Sequence, residues 1–125
     1  MKSPPPPAGD ATMATYEIGM AQVIEAASKP GALERNVLGP GGPITGGQFM
    51  MATAMNHTIH SWDLAKATGQ DTALDPGIVE VVWNAFAATG VFDQARGGGV
   101  IGPKVAVPES ASLQDRLLGE AGCKP

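Results

Sequence analysis

Apolar residues recur at spacings of three and four through the first part of this chain. Met13, Tyr16, Met20, Val23 and Ala27 form one stripe, and Ile24 widens it. The spacing predicts a helix from about Asp10–Thr12 to Ser28, with Asp10 or Thr12 as its cap and "KPG" at 29–31 as its stop. Residues 31–47, "GALERNVLGPGGPITGG", follow without such a period. Five glycines after Gly31 and two prolines break them into a loop with a weak hairpin at most.

A second, longer helix is expected from about Gln48 to Thr68, with Gly69 just past its end. Ala52, Met55, Ile59 and Trp62 make its main apolar stripe. The other face, with Met50, Ala54, Thr58, Ser61 and Ala65, is small or apolar, as in a helix packed on two sides. A third helix opens at "LDPG", where Asp75 suits the N-cap and Pro76 the first helical position. Its buried side would hold Ile78, Val79, Val82, Trp83 and Phe86. Gly90 ends it, or Val91–Ala95 add an irregular turn. "RGGG" at 96–99 is a break, and "VIGPKVAVPES" reads as extended. Ser112 with Asp115 three residues on resembles a capping box, so a short last helix is expected over 113–121, stopped by Gly122.

Composition narrows the classes. The 125 residues suffice for one domain. Net charge is −4 and the eight basic residues are scattered, which argues against a nucleic-acid partner. No run approaches the ~18 apolar residues of a membrane span. "MKSPPPPAGD" has no apolar signal region, and its four prolines favour a solvated polyproline arm over residues 1–11. Cys123 is the single cysteine, so no disulfide within the chain is possible, and a cytoplasmic location is expected. Third from the end of the sequence, it reads as a frayed tail cysteine.

Most chemical motifs fail on context. Gly97-Gly98-Gly99-Val100-Ile101-Gly102 matches G-x-G-x-x-G, but no strand leads into it and Pro103 follows, so a dinucleotide site is not expected. No serine sits in a nucleophile elbow. The stretch "NHTIHSWDLAKATGQD" at 56–71 is different, because it holds both histidines of the chain. At 100° per residue, Asn56, His60 and Asp63 fall close to one line, while His57 points roughly 60° from His60. A divalent metal prefers imidazole and carboxylate, and Asp63 is placed to orient the His60 ring. One helix supplies two ligands at best, whereas a catalytic centre wants three. The competing reading has His60 only hydrogen-bonding at the edge of a helix interface.

"HSWDLAKATGQDTALDP", the tail "GVIGPKVAVPESASLQDRLLGEAG" and "GALERNV" together resemble the actinobacterial DinB-like proteins. More narrowly, they resemble the family related to the N-terminal metal-binding domain of mycothiol-dependent maleylpyruvate isomerase. The resemblance covers residues 12–125. It implies an all-α fold: half of a four-helix bundle, with up-down helices, an extended Gly/Pro-rich segment and a short last helix. It also implies a divalent metal, Zn or Ni, held by an early histidine and an acidic-x-x-x-His pair. His60 falls on the pair's histidine. Asn56 falls on its acidic position, and the early histidine has no counterpart. Metal would then bind only if two chains pooled His60 and His57, with Asn56 contributing weakly.

A half-bundle leaves apolar helix faces uncovered, so the expected partner is a second copy or a related full-length protein. Two functions remain open at this point. One is a degenerate relative of thiol-linked isomerases or transferases of unknown substrate. The other, favoured by the missing ligands, is a non-catalytic dimerising module or truncated remnant.

Overall fold

The computed structural model describes residues 11–39 and 42–125. The proline arm expected over 1–11 therefore lies, but for Ala11, outside the described residues, as does Asp10. The chain divides into two compact units, Met1–Met50 and Met51–Pro125. It is mostly helical, with one two-stranded ribbon.

In the first unit, helix α1 runs Ala11–Ala27. It ends as the glycine and proline after it demand: Ser28 Oγ turns back onto Ile24 O at 2.7 Å, and Gly31 takes a left-handed φ of 75°. Strands β1 (Asn36–Gly39) and β2 (Gly42–Thr45) then pair antiparallel, Val37 opposite Ile44 and Leu38 opposite Pro43. The weak hairpin that the sequence allowed here is thus present as a paired ribbon in a mostly helical chain. Val37 and Ile44, both β-branched, are paired across the ribbon, and Gly39 with Gly42 is its last pair.

Helix α2 (Gly46–Thr68) starts two residues before the expected Gln48. Thr45 and Gln48 form a capping box: Gln48 N donates to Thr45 Oγ1 at 3.1 Å, and Thr45 N donates to Gln48 Oε1 at 2.9 Å. The two glycines between them allow a close passage. Gly46 N and Gly47 N donate to Arg35 O and Leu33 O, each at 2.8 Å, and a Cβ on Gly46 would lie 2.1 Å from Ala32 O.

The second unit holds the core: Ile59 and Trp62 of α2, Val79, Val82 and Phe86, then Phe92, Leu117 and Leu118. At its far end α2 closes as the sequence indicates. Gly69 has φ 69°, and Gln70 N reaches back to Ala65 O at 2.8 Å. Helix α3 (Pro76–Val82) is capped by Asp75, whose Oδ1 accepts from Ile78 N at 3.0 Å. It runs on into a π-helical turn, Trp83–Ala87. Val79, Val82 and Phe86 are buried as expected, but Ile78 is 49% exposed, because it sits about 100° around the helix from Val79. Gly90 breaks the chain at φ 75°, and Val91–Gly97 form a true helix, α4, where at most an irregular turn was expected. Phe92 drives this by entering the core, its ring centroid 6.0 Å from that of Phe86. Helix α5 (Leu113–Glu120) is capped by Ser112, which accepts from Asp115 N at 3.1 Å.

Candidate functional site

The two histidines lie on α2 about two and three turns before its end, and both are exposed. Buried Thr58, Ile59 and Trp62 mark the core side of the helix, and at 100° per residue His60 and His57 fall on the opposite side. His60 Nδ1 lies 3.2 Å from Asp63 Oδ2. A carboxylate can only accept, so Nδ1 is the donor, and in a neutral ring Nε2 is the nitrogen left to accept. His57 Nδ1 lies 2.9 Å from Thr53 O, with the same consequence for its ring. The orienting carboxylate read from the sequence is thus in place.

Ligand number falls short of a centre. Among the described residues no three histidine, cysteine or carboxylate side chains converge on one point. Asn56 is exposed beside them and is a neutral amide. The His60–Asp63 pair is itself open to water, with side chains 69% and 47% exposed. The described residues of a single chain therefore do not fit the three-ligand arrangement that metal catalysis uses. A cavity of about 610 Å³ in the same unit, lined by Leu74, Glu80, Leu113 and Gln114 among others, includes neither histidine.

The frayed-tail reading of Cys123 is corrected. Its backbone N–H bonds to Leu118 O at 2.8 Å, and its side chain is partly buried against the core. Gly122, at φ 88°, turns the chain so that the cysteine folds back. Burial pushes the thiol pKa up. The Asp63 charge adds to this and Lys66 opposes it. Lys66 also lies 4.5 Å above the Trp62 ring, and its Nζ donates to Lys124 O at 2.6 Å. The end of α2 is thus where the last residues of the chain dock.

Three interactions had no local sequence signal. Gln114 holds the α2–α3 connection at two points: Leu74 N donates to its Oε1 at 2.8 Å, and its Nε2 donates to Thr72 O at 2.9 Å. Arg96 and Lys104 both meet Glu120, from sequence distances of 24 and 16 residues. Arg116 covers the Trp83 ring at 4.8 Å. Such contacts follow from packing, which a helical period does not report.

Two uncharacterised proteins of Mycobacterium tuberculosis are similar to this chain, MT0763 of strain CDC 1551 / Oshkosh and Rv0738 of strain H37Rv. Each is 35% identical over 96 residues, covering 76% of this chain and 52% of the relative. The chain spans about half the length of the curated relatives it matches. No family model matches the chain. No solved structure matches it. Among the described residues, no helix is long and apolar enough to cross a membrane.

Proposed function

We propose that this chain is a non-catalytic helical module that associates with itself, of DinB-like descent. One observation carries the reading: α1 is rich in apolar residues yet buries none, with Met13, Tyr16 and Ile24, on one face, all more than half exposed. Such a face belongs against a partner. The descent rests on the resemblance of residues 12–125, and it accounts for a histidine kept at 60 beside an amide at 56. The half-bundle follows from the same resemblance, with two copies supplying what one lacks.

A second reading is favoured by the two ring Nε2 atoms left to accept. A divalent ion, Zn or Ni, would bind weakly between chains that pool His60 and His57, with Asn56 contributing least. Chemistry at such a site, if the descent holds, would be thiol-linked isomerisation or transfer.

The test is to purify the protein without a histidine tag and measure bound metal per chain together with mass in solution. A metal-free dimer supports the module. Stoichiometric metal that disappears in His60→Ala supports the second reading. A metal-free monomer removes both.

A further inference from the structure

We infer that α1 pairs with α1 of a second copy, antiparallel about a two-fold axis, with Tyr16 of each copy seated in the other's ribbon groove and Glu17 of each facing the other's Arg35. This rests on the self-association proposed above and names its surface.

The first unit contains an apolar groove of about 360 Å³ between the end of α1, the ribbon and the start of α2. Ala26, Ala27 and Ala32 line it together with Leu33, Phe49 and Arg35. Small residues leave the space, and larger apolar ones bound it. The occupant is identified by the helix itself. Met13, Tyr16, Met20, Val23 and Ala27 alternate by three and four, the a/d spacing of a helix–helix seam. The end of this stripe lines the groove. Its beginning, Met13 and Tyr16, lies on the same face seven to fourteen residues earlier, at 64% and 53% exposure.

In an antiparallel pair, a positions oppose d positions. Setting Met20 against Val23 of the second copy sets Tyr16 against Ala27, the largest residue of the stripe against the smallest. Glu17 follows Tyr16 and so arrives beside Ala26, where Arg35 also lines the groove. Neither Glu17 nor Arg35 has an ion-pair partner among the described residues, although Glu25 pairs with Lys29 at 3.7 Å. Two-fold symmetry makes each contact twice, which is the self-complementarity a closed dimer needs. Tyr16, Met13, Val23, Leu33, Leu38 and Phe49 are all exposed, so the stripe and the groove present apolar side chains that a second copy would cover.

The experiment is sedimentation equilibrium on the full chain and four variants: Glu17→Arg, Arg35→Glu, the double swap, and Tyr16→Ala. All three positions are exposed in the single chain, so circular dichroism will report unchanged helicity if only association is affected. The inference expects each single charge change to weaken dimerisation about tenfold or more, and the swap to recover most of the loss. Tyr16→Ala should weaken it about tenfold and leave the rest of the chain folded. A dimer indifferent to all four variants keeps self-association and overturns this surface. A wild-type monomer overturns both.

Discussion

Arg96 grips Glu120 twice. Its Nη1 donates to the Glu120 backbone oxygen at 2.6 Å, and its Nη2 donates to the Glu120 carboxylate at 3.3 Å. Asp93 takes the remaining reach of Nη2 at 2.7 Å, and Lys104 meets the other carboxylate oxygen. The side chains of Arg96 and Glu120 are only 16% and 18% exposed. This knot joins α4, the extended segment and the end of α5. Arg96→Ala should lower the melting temperature clearly, and the loss should persist in 1 M salt, because shielded pairs are screened little. Arg96→Lys should recover only part, since an ammonium lacks the planar fork. Loss of the Glu25–Lys29 pair, exposed at 75% and 68%, should leave the melting temperature nearly unchanged.

Gly119 and Gly97 should respond oppositely to alanine. A Cβ on Gly119 would stand 2.7 Å from Val105 O and 3.3 Å from the Val107 methyls, at the point where Val105 N bonds to Gly119 O. Gly119→Ala should cost about 2 kcal/mol through forced displacement of the extended segment. Around Gly97 nothing lies within 4 Å, so Gly97→Ala should be neutral or stabilising by up to about 1 kcal/mol. Urea titrations of both variants check the contrast.

The α2–α3 connection carries two supports that should prove coupled. Asp75 caps α3, and removing the cap as Asp75→Ala should cost about 1 kcal/mol. Gln114→Ala strands Leu74 N and Thr72 O and should cost about as much. Leu74 adjoins Asp75, so once one support is gone the other holds less. A double-mutant cycle should show non-additivity of about 0.5 kcal/mol or more.

Cys123 should be a slow thiol in the folded protein. Burial and Asp63 raise its pKa, so the reactive thiolate is scarcer near pH 8 than in the unfolded chain. Alkylation should therefore accelerate in denaturant. In the folded state it should accelerate in Asp63→Asn and slow in Lys66→Ala. The linkage has a definite sign. A thiol pKa raised by folding leaves stability untouched below the ordinary thiol range. Stability is then lost as pH rises through that range toward the folded value. Melting temperatures of the wild type and Cys123→Ser across alkaline pH measure this difference.

What the sequence discloses here is local. The stops at Gly69 and Gly122, the Asp75 and Ser112 caps and the buried trio Val79, Val82 and Phe86 each follow from a few neighbouring residues. The start of α2 was equally legible, since Thr45 and Gln48 have the spacing of a capping box, but two intervening glycines mask it as loop. Helix α4 was hidden because Gly90 and the glycines from 97 onward argue against a helix, and only Phe92 reaching the core outweighs them. The candidate site divides in the same way. The facing of His60 and Asp63 is set by one helical turn and could be read directly. The docking of Cys123 against the core depends on α5 and the end of α2 meeting, and no spacing within either segment encodes that.

The ribbon bears on how such a chain avoids association of the wrong kind. Two paired strands leave both outer edges open to further strands, a standing invitation to aggregate. Pro43 sits in β2 opposite Leu38, next to the Gly39–Gly42 pair. A proline is compatible with that position only where the missing N–H would face outward. One edge of the ribbon therefore lacks a donor where an incoming strand would need it. Growth by strand addition is discouraged on that side of the ribbon.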